Sequence, residues 1–212
     1  MMKKGCIIFL LIFLVLKINA NTFEGQMTIV KQTIYDTTYY TIYVSKEKIR
    51  IDEKNNRKEL KNIYLINNIN DAIYIIDPTR KMQFKLKEVA SKSNNDSQYE
   101  IKKTNNSKTI NGIKCYQWRV KNTEKNTEIT YWVVYNNTDF FQKIIKVLNY
   151  NDASWDFFSA IPQNKGFLPI MSVERNLVRD EKKSFKVIDI QHKKIDSTIF
   201  RISKDYNFLW II

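Results

Sequence analysis

From Phe23 onward, short runs rich in β-branched and aromatic residues alternate with clusters of Asn, Lys and Asp. Short apolar runs separated by polar turns are typical of an antiparallel all-β framework. The pattern predicts nine or ten strands, at residues 23–33, 38–45, 48–52, 61–66, 72–77, 82–86, 113–121, 128–135, 170–178 and 184–192.

The pattern within the runs also predicts which strands face water. Apolar and polar residues alternate over 82–86 and over 116–120, so these strands should have one dry and one solvated face. Residues 73–76 read Ile-Tyr-Ile-Ile and have no polar side. A run of that kind predicts a strand covered on both faces.

Local turn chemistry favours antiparallel neighbours. Asp77-Pro78-Thr79-Arg80 is typical of a type I turn, and Asn111-Gly112 is a two-residue hairpin signal. Residues 87–107 are polar and contain no glycine, and we expect them to form an exposed, mobile loop.

One segment, 139–161, departs from the strand pattern and predicts a helical insertion. Capping candidates at 137–139 precede apolar residues at helical spacing, and Pro162 ends the segment. The apolar positions are Phe140, Phe141, Ile144, Ile145, Leu148, Trp155, Phe158 and Ile161. Because this stripe needs an apolar partner, we expect the helical segment to lie across one face of a curved sheet.

The N-terminus has the pattern of an export signal. A basic start at residues 1–4 precedes an apolar run over 5–16, which is shorter than the roughly 20 residues of a membrane span. We place cleavage after Ala20, with an uncleaved N-terminal anchor as the alternative. Cys6 precedes the apolar run, so we expect the mature chain, residues 21–212, to be a single unlipidated domain that is periplasmic or secreted.

The chain is strongly basic, with a net charge of +13 over 212 residues. Removal of residues 1–20 takes away three lysines and leaves +10. This charge favours anionic partners such as anionic lipid or envelope glycans, although lysine is abundant everywhere and a merely solvated basic face would explain it too. The 43% hydrophobic content excludes a disordered chain.

Candidate chemistry is sparse. One histidine, His192, and two cysteines exclude a disulfide scaffold and a structural zinc site, and we expect neither metal nor cofactor. No nucleophile elbow accompanies His192, and the carboxylate pairs at 52–53 and 180–181 lie in basic turn regions. Cys115 fits a small buried hydrophobe, with a catalytic thiol or an intermolecular bond as alternatives. We therefore expect no enzyme.

A series of turn and core motifs resembles a known family. The motifs are Phe23-Glu24-Gly25, Lys48-Ile49-Arg50-Ile51-Asp52, residues 110–118, Tyr131-Trp132-Val133, Gly166-Phe167-Leu168-Pro169 and Phe200-Arg201-Ile202 with Tyr206. They resemble an uncharacterised family of secreted bacterial proteins, a domain of unknown function that looks related to the LolA/LolB-type lipoprotein carriers. The resemblance implies an open, curved antiparallel half-barrel with short helices in its concave mouth, in a Gram-negative envelope. Arg50 is a candidate, by position alone, for the arginine that gates the carriers' groove.

These observations lead to a predicted ligand site between helix and sheet. The helical residues would face sheet residues across a groove, and the whole set is Phe140, Ile144, Leu148, Trp155, Phe158, Met27, Ile29, Tyr116, Trp118 and Met171. We predict a non-enzymatic exported envelope protein that binds or carries a hydrophobic ligand such as lipid or a lipoprotein acyl chain. The same side chains would also fit a plain core, in which case the chain is a solid β module that binds an anionic partner through its basic surface.

The predicted partners are a lipid or lipoprotein, with transient envelope association and no nucleic acid. A basic sheet with many Tyr and Phe residues is also how single-strand binders are built, but the export signal counts against that function. The sequence leaves the oligomeric state open.

Overall fold

The computed structural model describes residues 23–86, 99–138, 140–151 and 156–209. The predicted signal segment, 1–20, lies outside these ranges, so its cleavage stays a prediction. None of the helices within the described ranges is long and apolar enough to span a bilayer.

The chain forms a mainly β architecture with one twelve-stranded sheet. The strands are β1 Gly25–Thr33, β2 Thr37–Val44, β3 Lys48–Lys54, β4 Leu60–Asn67, β5 Ile73–Asp77, β6 Met82–Leu86, β7 Tyr99–Ile110, β8 Ile113–Asn122, β9 Thr127–Thr138, β10 Gly166–Asn176, β11 Glu181–His192 and β12 Asn207–Leu209. Two helices, α1 Phe140–Asn151 and α2 Asp156–Ser159, join β9 to β10. The predicted helical segment is therefore two helices, with 152–155 outside the described residues.

The strand order is β12-β6-β5-β4-β3-β2-β1-β11-β10-β9-β8-β7, with β12 and β7 at the two ends. Described neighbours pair antiparallel, as predicted, except for the parallel pair β12–β6. Laid flat, twelve strands would span about 50 Å. Buried residues of β4 and β8, far apart in this order, nonetheless share one core cluster with both helices, so the sheet curves around them.

The pairing register separates two faces. Directly paired residues point to the same side, so Ile29, Tyr40, Ile42, Ile51 and Tyr64 lie together on the face that carries the helices, called here the inner face. The opposite side of the sheet is called the outer face.

The C-terminal segment, 195–209, covers the outer face of β3–β5 and ends as β12. Ile63, Leu65 and Ile76 pack there against Ile195 and Phe200 in a second core cluster. In β5, Tyr74 joins this outer cluster while Ile73 and Ile75 pack on the inner one. The prediction that 73–76 is covered on both faces is therefore confirmed.

Two strands were not predicted. Residues 99–107 belong to β7, so the prediction of a mobile loop over 87–107 is wrong for this part, while 87–98 lies outside the described residues. The polar run resembled a loop because β7 ends the sheet and most of its side chains face solvent. β12 is only three residues long and depends on a nonlocal pairing with β6.

The predicted turn signals are confirmed at Asn111 and Gly112, which have φ of 49° and 78° and join β7 to β8. Positive φ at both positions is what a type I′ hairpin requires. At the start of β1, a Cβ on Gly25 would collide with the Gln191 carbonyl oxygen of β11, which explains the glycine in the first family motif.

Candidate functional site

The helices and the inner face form a closed apolar layer. Six residues of the predicted site lie in this layer, each at most 4% exposed and all in one core cluster: Met27, Ile29, Trp118, Ile144, Leu148 and Phe158. Phe158 of α2 contacts the rings of Trp118, Tyr131 and Phe141, with centroids 6.4, 5.2 and 5.9 Å away. Side chains thus fill the space between helix and sheet at these positions.

The other predicted site residues lie elsewhere. Phe140 is half-buried and stacks on Phe23 with ring centroids 5.0 Å apart. Tyr116 pairs with Val133 on the face of Trp118, but it is 41% exposed and is not part of the buried core. Trp155 lies outside the described residues.

Met171 lies on the outer face, which corrects the prediction that it faces the helices. Met171 pairs with Trp132 of β9 and Lys186 of β11, which lie on the side of the sheet opposite to Tyr131. Its Sδ lies 3.6 Å from the Lys108 ammonium. The register of β10 shifts between Pro169 and Met171. Because a shift of one residue reverses the face, the sequence pattern alone does not place Met171 on the correct side.

Polar contacts at the rim hold the helices in place. The Lys143 ammonium of α1 lies 2.8 Å from an Asp71 carboxylate oxygen in the β4–β5 loop. Near α2, the Asn164 side chain donates to the Phe158 carbonyl at 2.6 Å and accepts from Gln142 at 3.2 Å. These bonds lie around the apolar layer rather than within it.

A small cavity opens on the inner face beside α2, where β1, β9, β10 and β11 meet. Its volume is about 30 Å³, and its lining is Lys31, Ile129, Tyr131, Ser172, Glu174, Lys183, Ser184 and Phe185. We call it the inner-face cavity. Ile129, Tyr131 and Phe185 are buried apolar walls, while the two lysines, Glu174 and Ser172 supply polar side chains.

Tyr131 connects this cavity to the helical layer. Its ring lines the cavity and also contacts Phe158 of α2. A ligand whose polar end lies in the cavity would therefore have the α2–sheet interface directly beside it. Sequence reasoning missed Lys31, Glu174 and Lys183, because three separate strands bring them together.

Arg50, the candidate gate, lies on the outer face. Its guanidinium donates to Asp52 at 2.6 Å and to the Ile199 carbonyl at 2.6 Å. Asp52 is only 7% exposed, so the pair has a structural role in holding the C-terminal segment. Arg50 does not face the helices.

Groups with potential chemistry do not converge in the described residues. His192 is exposed and lies edge-on to Phe23, with ring centroids 5.0 Å apart. Cys115 is a buried free thiol, as predicted, and burial raises its pKa. No group of three or more His, Cys, Asp or Glu side chains within the described ranges is arranged to hold a metal ion.

Comparison with solved structures supports the architecture. An uncharacterised conserved protein from Thermus thermophilus matches with a TM-score of 0.57 and 9% identity, over 90% of this chain and 92% of that one. MucB in complex with MucA(peri) matches with a TM-score of 0.52 and 10% identity, over 88% of this chain and 57% of that one. Another solved complex of MucA and MucB is from Pseudomonas aeruginosa. At these identities the likeness shows the fold alone, and this chain spans little more than half of MucB.

A Vibrio parahaemolyticus domain assigned to outer membrane lipoprotein sorting also matches, with 8% identity over 84% of this chain and 88% of that one. Its TM-score of 0.32 supports no inference about site or function. No curated protein matches the sequence. A family described as a domain of unknown function, DUF4412, matches residues 23–206. The chain therefore belongs to the DUF4412 family, which confirms the uncharacterised family predicted from the sequence motifs.

Proposed function

We propose that this protein is a non-enzymatic binding protein of the cell envelope that holds an amphiphilic ligand on its inner face. The observation that carries the proposal is the inner-face cavity, where two lysines and one acidic residue, Glu174, adjoin apolar walls continuous with the helix–sheet layer, so the charged lining keeps a positive excess. An anionic headgroup would lie at Lys31 and Lys183. The acyl chain would lie along the inner face.

The size of the cavity requires α2 to move. A cavity of about 30 Å³ holds no more than water, whereas pockets for small molecules are on the order of 300 Å³ or larger. Burying a roughly 14-carbon chain yields on the order of 11 kcal/mol before ordering costs. Withdrawing a buried Phe such as Phe158 costs about 3 to 5 kcal/mol. The exchange is therefore energetically accessible to a lipid and unfavourable for a small polar molecule.

Three further observations support an envelope binding role. The first sixteen residues have the pattern of an export signal. The fold is shared with MucB, whose solved complex contains MucA(peri). The chain without residues 1–20 keeps a net charge of +10, which attracts anionic headgroups.

Titration with lysophosphatidylglycerol below its micelle concentration tests the proposal. The substitutions Lys31→Gln and Lys183→Gln should each weaken binding several-fold, because each removes one cation beside the headgroup. Lys186→Gln is the matched control, since Lys186 lies on the same strand but on the outer face. Equal effects of K183Q and K186Q would contradict a headgroup site in the cavity.

A second candidate function rests on the β7–β8 hairpin. Residues 99–122 carry six Lys or Arg side chains and one acidic residue, Glu100. Such a strip favours an anionic macromolecular partner, and binding of this kind weakens as salt rises because exposed charges are screened beyond about 8 Å at physiological ionic strength. An interaction unchanged between roughly 50 and 500 mM salt would remove this candidate.

A further inference from the structure

Two hairpin turns at one end of the sheet present large apolar side chains to solvent. In the β1–β2 turn Ile34 is 70% and Tyr35 is 94% exposed. In the β10–β11 turn Leu177 is 62% and Val178 is 75% exposed. We call these four side chains the hairpin-tip surface. Turns ordinarily carry polar residues at such positions, so four exposed apolar ones require a reason outside the fold.

Side-chain hydrogen bonds of neighbouring polar residues stabilise both turns. The Thr33 hydroxyl accepts from the Tyr35 and Asp36 amides at 3.3 and 3.0 Å and donates to the Asp36 carbonyl. In the second turn the Asn176 side chain accepts from the Asp180 amide at 2.8 Å and donates to its carboxylate at 3.1 Å. The four apolar side chains take part in none of these hydrogen bonds.

The two turns are neighbours in space. β1 pairs with β11, and Thr33 lies directly opposite Lys183 near the start of both turns. Because adjacent strands are about 4.8 Å apart, the two hairpins lie about 10 Å from each other. Two apolar tips at this separation form one surface rather than two isolated spots.

The charge around the tips is complementary to anionic lipid. Among the described residues, five hairpin turns lie at this end of the sheet, and residues 31–37, 54–60, 77–82, 122–127 and 174–183 contain eleven Lys or Arg and seven Asp or Glu. Ion pairs such as Glu59 with Arg57 and Glu181 with Arg175 use one acid and one base each, so the basic excess is unchanged by them. Basic residues beside Tyr and aliphatic side chains are the composition of a membrane-surface contact.

We propose that the hairpin-tip surface docks onto an anionic lipid bilayer, with its four apolar side chains in the interfacial region and the surrounding lysines and arginines at the headgroups. The inner-face cavity lies near the same end of the sheet: Lys31 precedes Ile34 by three residues and Glu174 precedes Leu177 by three. Docking in this orientation would bring the cavity next to the lipid headgroups. The inference goes beyond the proposed function, since a protein can hold a ligand without contacting a bilayer.

Vesicle co-sedimentation tests the docking. The protein is the chain from Asn21 onward, because every core residue described lies within 23–209 and the apolar N-terminal run would itself bind lipid. A variant with Ile34, Tyr35, Leu177 and Val178 all changed to Ser should bind vesicles containing about 30% phosphatidylglycerol at least about tenfold more weakly than wild type. Vesicles of phosphatidylcholine alone should bind wild type weakly.

The matched control is Ile69→Ser, because Ile69 is 75% exposed but lies in the β4–β5 loop at the opposite end of the sheet. Circular dichroism and thermal unfolding should be unchanged in both variants, since all five side chains are exposed. Equal vesicle binding by the fourfold variant and wild type would overturn the proposal, as would failure of wild type to bind anionic vesicles.

A position-specific probe adds a second readout. An environment-sensitive fluorophore on Ile34→Cys should shift to shorter wavelength when anionic vesicles are added, and the same fluorophore on Ile69→Cys should not. Cys115 is fully buried, so labelling is confined to the introduced thiol. Equal shifts at both positions would contradict docking through the tips. Titration with monomeric lysophosphatidylglycerol in the absence of vesicles, described above, is independent of this result, so failure of one proposal is distinguishable from failure of the other.

Discussion

The Tyr131 ring of β9 meets the Phe158 ring of α2 edge to face, with centroids 5.2 Å apart, and Tyr131 also lines the inner-face cavity. One side chain therefore belongs both to the closed apolar layer and to the opening beside it. Phe158 is one of two buried aromatic residues of α2, the other being Phe157, and its removal or displacement would enlarge the cavity beside Tyr131. The same contact should therefore affect both the stability of α2 and the binding of a ligand.

Phe158→Ala should destabilise the fold by about 3 to 5 kcal/mol, because the side chain is fully buried among Trp118, Tyr131 and Phe141. Urea unfolding followed by fluorescence measures the change. Tyr135→Ala is the control, since Tyr135 is 60% exposed and should lose much less. A loss below about 1 kcal/mol for F158A would show that α2 does not seal the core.

Arg50→Ala should loosen the C-terminal segment and lower the free energy of unfolding by about 1 to 3 kcal/mol. The substitution removes the bond to the Ile199 carbonyl and leaves the buried Asp52 carboxylate without its ion pair. Hydrogen exchange should become faster over residues 195–209.

The control for this prediction is Arg57→Ala, because the Arg57–Glu59 pair is largely exposed and should contribute little. Unchanged hydrogen exchange over residues 195–209 in R50A would contradict the conclusion that Arg50 holds the C-terminal segment.

Tyr64 should make the fold sensitive to alkali. Burial, and then the neighbouring Glu53 carboxylate to which the hydroxyl donates at 2.5 Å, raise the pKa of Tyr64. An acid whose pKa is higher folded than unfolded contributes stability that is complete below the unfolded pKa, about 10, and is lost as pH rises above it. Wild type should therefore lose up to about 1.4 kcal/mol per pH unit above pH 10 through this group.

Tyr64→Phe should remove that part of the alkaline loss, measured as unfolding free energy at about pH 9 and pH 11. Burial also raises the pKa of Tyr43 and Cys115, so the difference between variant and wild type isolates Tyr64. Identical slopes for Y64F and wild type would refute the assignment.

Cys115 should react slowly with Ellman's reagent in the native protein. Its side chain is fully buried, and burial raises the pKa of the thiol, although the nearby Lys108 ammonium partly opposes that rise. Since the thiolate is the reactive form, native modification should be on the order of a hundredfold slower than in urea. Comparable native and unfolded rates would contradict this burial.

Local sequence patterns predicted the elements whose own residues indicate whether they are buried or exposed. The apolar run at 73–76, the Asn111-Gly112 turn and the helical spacing from Phe140 onward each carry that information in neighbouring residues. Strands that are recognisable only by their backbone pairing were not predictable. β7 looks like a loop because its side chains face water, and its strand character depends on its backbone bonds to β8.

The candidate site likewise contains residues that the sequence pattern placed correctly and residues that it did not. Met27, Ile29 and Trp118 were predicted to face the helices, either across a groove or in a plain core, and all three are buried in the core cluster that contains both helices. The face of Met171 was not predicted correctly, because a register shift in β10 reverses the alternation just before it. The cavity residues Lys31, Glu174 and Lys183 come from separate strands, and each alone looks like an ordinary solvated charge.

Hydrogen exchange of the amides at 157–161, with and without lysophosphatidylglycerol of about 14 acyl carbons, tests the central claim most directly. If the ligand lies on the inner face in place of the Phe158 side chain, the ligand-bound protein should show faster exchange in this segment while the strands around the cavity become more protected. Saturating ligand that leaves exchange over 157–161 unchanged, or a protein that binds no ligand at all, would contradict a carrier with a movable α2.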